Sequence, residues 1–137
     1  MEQGRGRLRE LNARLVRLHK TLLDFERAAY EGAHGQVRSG ELLELLLHHE
    51  QFVWLRSLSG VMARIDEALD EDPDAAPLDV DGFFRETSGL LRSGGSGPFE
   101  RRYHAALQES PEVVMAHADV VKVLQPSRSR TDQGARP

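Results

Sequence analysis

The chain has no cysteine. It therefore forms no disulfide, offers no thiolate to a metal and has no cysteine nucleophile. Such a composition is compatible with a reducing, cytoplasmic setting. Aromatic residues are scarce, at 6% of 137 residues, and Trp54 is the single tryptophan. Lysine is nearly missing too: Lys20 and Lys122 are the only two, and positive charge is otherwise arginine. Apolar runs such as Leu45-Leu46-Leu47 are far too short to span a bilayer. No apolar run follows Met1-Glu2-Gln3-Gly4-Arg5-Gly6-Arg7, so no secretory leader is expected. There is no Gly-x-Ser-x-Gly elbow, and Ser93-Gly94-Gly95-Ser96-Gly97 lacks the Lys-Ser/Thr and the preceding strand of a phosphate loop. These absences lead us to expect a soluble cytoplasmic protein that is not an enzyme. No catalytic, cofactor-binding or metal-ligating residue is assigned, and no cofactor and no membrane contact are expected.

What the sequence does contain is helical periodicity. Laid out at about 100° per residue, Trp54, Leu55, Leu58, Val61, Met62, Ile65, Ala68 and Leu69 share one arc about 140° wide. Arg56, Gly60, Arg64, Glu67 and Asp70 fill the other side. An arc that wide serves a helix with two neighbours rather than one. It predicts the central helix of an all-α bundle, with Trp54 as its main packing residue.

The remaining segments follow in chain order. A first helix is predicted over about 7–30, where Leu8, Leu11, Leu15, Leu18, Leu22, Phe25 and Ala29 form an unbroken heptad seam with Val16, Leu23 and Tyr30 as a second row. It should stop at Gly32-Ala33-His34-Gly35. Ser39 is the expected N-cap of a second helix over 39–71, with Glu41 in its first turn. That helix should bend or break near 48–51, where His48-His49-Glu50-Gln51 interrupts the apolar pattern. Asp72-Pro73-Asp74-Ala75-Ala76-Pro77 reads as a linker. Asp79 can cap a third helix over 79–93, striped by Val80, Phe83, Phe84, Thr87, Leu90 and Leu91. The Ser93–Gly97 stretch reads as a flexible loop, and Pro98 opens a last helix over 98–124.

In that last helix Phe99, Tyr103, Ala106, Ser110, Val113, His117, Val120 and Leu124 keep strict 4, 3 spacing through Pro111. Ser110-Pro111-Glu112 alone would read as a new helix start. The unbroken phase predicts instead one helix kinked near Pro111, with Leu107, Val114 and Val121 as a second row. Residues 126–137 have nothing to bury and should be a disordered tail. The expected fold is all-α: one domain over 1–125, built as an antiparallel up-and-down four-helix bundle.

Two runs also carry a likeness. Phe52-x-Trp54-Leu55-Arg56-x-Leu58-Ser59 with Ile65-Asp66-Glu67, and Leu18-His19-Lys20-x-Leu22-Leu23 with Glu26-Arg27, resemble a set of short uncharacterised bacterial helical proteins. The resemblance covers residues 8–72, and members of that set often carry Pro where Ser57 stands. It implies a bacterial setting and no particular activity, cofactor or site residue.

Candidate chemistry is thin. A di-iron bundle takes Glu-x-x-His from two helices and a Glu from each of two others. Glu31-Gly32-Ala33-His34 matches once, in a Gly-rich stretch, and the seams of the first and last helices carry no carboxylate. His117 lies on the core seam of the last helix. It is either a structural histidine bonded to a carboxylate, hydroxyl or carbonyl, with His19 or Asp66 as candidate partners, or the centre of a metal- or cofactor-holding bundle. His48 and His49 diverge by about 100° on a helix and read as a solvated bend.

Charge is polarised. Arg5, Arg7, Arg9, Arg14, Arg17 and Lys20 crowd the first twenty residues, while 66–81 holds eight acids and no base. The two patches could meet within or between chains. Weak nucleic-acid binding through the basic N-terminal helix is an alternative, opposed by a pI of about 5.9 and by the lack of interleaved aromatics. The leading expectation is a non-enzymatic bundle working by protein–protein contact, as a homodimer or with another protein partner.

Overall fold

Helix α1 (Glu2–His34) is built on the leucine seam read from the sequence. Leu8, Leu11, Leu15, Leu18 and Leu22 are all fully buried. The helix outruns the predicted bounds at both ends, running through Gly4 and Gly6 at the start and Gly32 near the end, since an internal glycine costs only about 1 kcal/mol. The stop falls at Gly35, which takes φ +90° and returns its N–H to the Glu31 carbonyl at 2.8 Å. This is the left-handed C-terminal cap that glycine favours. The seam itself ends earlier than expected: Phe25 is only half-buried and Ala29 is exposed. Glu26 is buried in their place. The computed structural model describes residues 2–72, 74, 77–92 and 97–125.

The loop after α1 is pinned at Val37, which is buried. Its N–H donates to Glu31 and its carbonyl accepts from Arg27. Helix α2 spans Ser39–His48. Ser39 is its first residue and not its cap: Arg38 precedes it in extended backbone (φ −81°, ψ 162°), and the Glu41 carboxylate accepts the Arg38 N–H at 3.0 Å. The predicted interruption occurs at His49 (φ −86°, ψ 134°). Its Nδ1 accepts the Gln51 N–H at 3.0 Å and so caps the short α3 (Glu50–Val53). Tight turns follow, with Leu55 N–H on the Phe52 carbonyl and Leu58 N–H on the Leu55 carbonyl, both at 3.0 Å. Helix α4 then runs Arg56–Asp70. The predicted 39–71 helix is therefore three helices.

The arc of the central segment is the buried one. Trp54 is 7% exposed, and Leu55, Leu58, Val61 and Ile65 are buried beside it. Helix α5 (Val80–Leu91) starts as read, with Asp79 accepting the Gly82 N–H at 3.0 Å. Replacing Asp79 by Ala should cost about 1 kcal/mol of stability in chemical denaturation. A Cβ on Gly82 would run into Asp79 Oδ2, so Gly82→Ala should displace the same cap.

The last segment departs from the expectation of one kinked helix. It is two helices, α6 (Pro98–Glu109) and α7 (Pro111–Leu124). Ser110 between them is extended (φ −128°, ψ 114°), as steric conflict with Pro111 demands. Its hydroxyl accepts the Val113 N–H at 3.2 Å and caps α7. Tyr103 Oη lies 2.6 Å from His117 Nδ1, whereas fourteen residues along one helix span about 21 Å. The chain thus folds back at Ser110. Phe99, Tyr103, Ala106, Val113 and Val120 still reach the core. Of the expected second rows, Leu23 and Leu107 pack against the core, whereas Val16 and Val114 are exposed.

Helix α1 packs chiefly on α7 and α4. Arg5 Nη1 donates to the Leu69 carbonyl at 2.7 Å, Asn12 Nδ2 to Asp66 Oδ1 at 2.9 Å, and Trp54 Nε1 to Glu26 Oε2 at 2.9 Å. Numbers rise along α1 as they fall along the 54–69 segment. The basic and acidic stretches thus meet within the chain, with Arg5 also bonded to the Glu71 carbonyl at the α4 C-terminus, where the helix dipole favours a cation. The described residues form seven helices and no strand. No described helix is long and apolar enough to cross a membrane. The expected tail at 126–137, most of the 93–97 loop and part of the 72–77 linker lie outside the described residues.

Candidate functional site

A second repeat runs beside the leucines of α1. Arg5, Asn12, His19 and Glu26 recur every seven residues, which puts them on one helix face. Arg5, Asn12 and Glu26 are buried, and His19 is half-buried. The Glu26 carboxylate accepts from Trp54 Nε1 at 2.9 Å and from Gln51 Nε2 at 3.1 Å, with Arg102 Nη1 at 3.9 Å. A buried carboxylate needs such partners, since an unpaired one is costly. At the middle of the row, His19 Nε2 and Asn12 Oδ1 have no partner among the described residues. Burial holds the His19 pKa below its ordinary value. Reading the sequence for apolar seams alone passed over this row; its regular seven-residue spacing was the available signal.

The second polar contact joins α6 and α7. The rings of Trp54 and Phe99 lie 5.2 Å apart, Phe99 and Tyr103 5.4 Å, and Tyr103 and His117 5.6 Å. Burial pushes the Tyr103 hydroxyl well above its ordinary pKa and His117 below its own. Both partners of their hydrogen bond are therefore neutral near pH 7. His117 has a hydroxyl partner, as a structural histidine requires. That partner is neither His19 nor Asp66, which bonds to Asn12.

The depressed histidines give a pH dependence with a definite sign. Below about 6.5, the ordinary histidine value, the unfolded chain takes up protons that the folded chain resists. Stability is then complete above that pH and falls as the pH drops toward the lower folded-state values. Thermal midpoints should decline between about pH 7.5 and pH 5, a window set by the histidine reference value. A His19→Leu, His117→Leu variant should show a flatter dependence than the parent.

The other histidine pairs do not converge. Glu31 is engaged by Arg27 and the Val37 N–H, while His34 stacks on Tyr30 with centroids 4.1 Å apart. His48 lies near Glu44, and His49 is the α3 cap. Among the described residues no group of three or more His, Asp or Glu is placed to hold a metal.

The most unusual surface is α2. Five of its ten residues are leucine, and none is buried. Leu43 is 57% exposed and Leu47 42%; four residues apart, they share one face. Leu46 alone packs against the core cluster. The helix touches mainly α3 and is held at its end by the Arg56 guanidinium on the Leu47 carbonyl. Glu41 and Glu44 flank its first half, and His48 and His49 close its second. No family model matches the chain, and no curated protein or solved structure matches it.

Proposed function

We propose that this chain is a non-enzymatic helical bundle that works by protein–protein contact, and that a second copy docks through the leucine face of α2. The observation that carries this is Leu43 and Leu47 exposed to water on a helix that is half leucine and has no fully buried residue. Covering a leucine fully is worth about 1.5–3 kcal/mol, a gain the isolated chain forgoes. About a twofold axis, two α2 helices laid antiparallel bring Leu43 of one copy onto Leu47 of the other. Glu41 then lies beside the opposite His48–His49 turn, and the two helix dipoles oppose each other. Ten residues span only about 15 Å, so the contact belongs to the small class below about 1,200 Å². It should form and dissociate readily.

Beneath that surface we read the chain as an antiparallel up-and-down four-helix bundle, with 2–34, 56–70, 80–91 and the folded 98–124 segment as its members. The opposed order of contacts along α1 and 54–69 supports this. A bacterial, cytoplasmic setting fits the sequence likeness over 8–72 and the cysteine-free composition. The alternatives carry less weight. His117 has no group of His, Asp or Glu around it placed to hold a metal among the described residues, which weighs against a metal there. Arg5, Arg14 and Arg17 of the basic helix are engaged at Leu69, Glu10 and Asp119, which weighs against a nucleic-acid face. Sedimentation equilibrium of the full chain and of its Leu43→Glu, Leu47→Glu variant tests the dimer: a concentration-dependent dimer lost in the variant supports it, and an unchanged mass rejects it.

A further inference from the structure

A cleft between α1 and α5 holds three arginines that form no ion pair with any described residue. Asp81, Arg85 and Ser88 recur at spacings of four and three along α5, which aligns them on one side of the helix, and Arg92, the residue that caps its C-terminus, lines the same cleft. That side faces Arg7 of α1 across an open cleft of about 660 Å³, a size typical of small-molecule sites. The Arg7 guanidinium is steadied over the Phe84 ring, 4.5 Å from its centroid, and its Nε is buried without a hydrogen-bond partner among the described residues. Arg85 and Arg92 form no ion pair with any described residue, although Asp81 shares the cleft.

Arg5, Arg14, Arg17, Arg27, Arg56, Arg64 and Arg102 all hold carbonyls or carboxylates. Three guanidiniums against one carboxylate leave the cleft wall two charges positive. Arg85 and Arg92 stand about 10.5 Å apart along the helix axis, two turns at 1.5 Å per residue. Their side chains can bracket an extended anion, with the Ser88 hydroxyl between them and Arg7 opposite. Guanidinium forks match phosphate oxygens in this way.

We infer that this cleft binds a small soluble molecule bearing a diphosphate group, held by Arg7, Arg85 and Arg92. It lies on other helices than the α2 face and is independent of the dimer.

The test is calorimetric titration of the full chain with inorganic pyrophosphate at low salt. The expected result is saturable binding at one site per chain. Arg85→Gln with Arg92→Gln, both exposed side chains, should weaken it by about tenfold or more, the scale of losing hydrogen bonds to a charged group. Asp81→Asn should tighten it by removing a repelling charge. Arg9→Gln, an exposed arginine on the same helix as Arg7 but outside the cleft, should leave it unchanged. Unaltered circular-dichroism melts would show that the variants fold.

Absence of saturable binding overturns the proposal. So does pyrophosphate binding that survives loss of Arg85 and Arg92, falls equally in the Arg9 variant, or fails to strengthen when Asp81 is neutralised. Binding of phosphatidic acid vesicles or a single-stranded oligonucleotide in place of pyrophosphate would make the cleft a membrane or nucleic-acid contact and equally overturn it.

Discussion

Replacing Trp54 by Ala should leave the chain unfolded or barely folded. Two losses fall on one position. Removing a buried tryptophan typically costs about 3–5 kcal/mol through lost transfer energy and the cavity left behind. The same change withdraws the Nε1 donor from Glu26, a carboxylate in a side chain that is itself buried. Gln51 Nε2 still reaches that carboxylate, and losing the one hydrogen bond to a charged group adds about 1.5–3 kcal/mol. Together these rival the whole stability of an ordinary domain, about 5–15 kcal/mol. Trp54→Phe separates the terms: it keeps a ring against Phe99 and loses only the donor and some volume, so it should cost much less. The measurement is urea denaturation. As Trp54 is the single tryptophan, parent unfolding can be followed by its fluorescence and the variants by circular dichroism. If Trp54→Ala were no more harmful than a surface change, the core described around the 54–69 segment would be wrong.

Changing Leu43 and Leu47 together to Glu should have the opposite profile. Neither leucine is buried, at 57% and 42% exposed, and Glu and Leu have similar helix propensities. Stability should therefore shift by less than about 1 kcal/mol, as at other exposed sites. Association should collapse. In the antiparallel pair the two changes place four carboxylates across one small interface, where like charges have no water to separate them. The expected loss is more than about a hundredfold in the dimer dissociation constant, or about 2.7 kcal/mol. A variant that unfolds would show instead that the α2 leucines belong to the core.

Much of the helix pattern was legible in the sequence because long apolar repeats leave little choice. The Leu8–Leu22 seam, the arc around Trp54 and the Asp79 cap all stand where spacing put them. The break at His49 was legible for the same reason, as the apolar pattern lapses there. The fold-back at Ser110 was misread because two rules conflicted. Seam phase ran unbroken through Pro111, yet two separate helices can each keep that phase while using it on a shared core. The local signal, an extended residue before proline with a hydroxyl to cap the next helix, was the correct one. The burial of Glu26 was not legible from apolar spacing, since its acceptability depends on Trp54 and Gln51, which lie 28 and 25 residues away. The arginine cleft was hidden likewise, because Arg7 meets Arg85 and Arg92 only once α1 and α5 pack. The exposure of α2 contradicts its own composition, and it is that contradiction which points outward.

Native mass spectrometry of the untagged full chain, across a range of concentrations, tests most directly whether α2 is a docking face. A dimer that grows with concentration in the parent and vanishes in the Leu43→Glu, Leu47→Glu variant is the expected result. A parent that stays monomeric at every concentration, or a dimer that survives both substitutions, would contradict it.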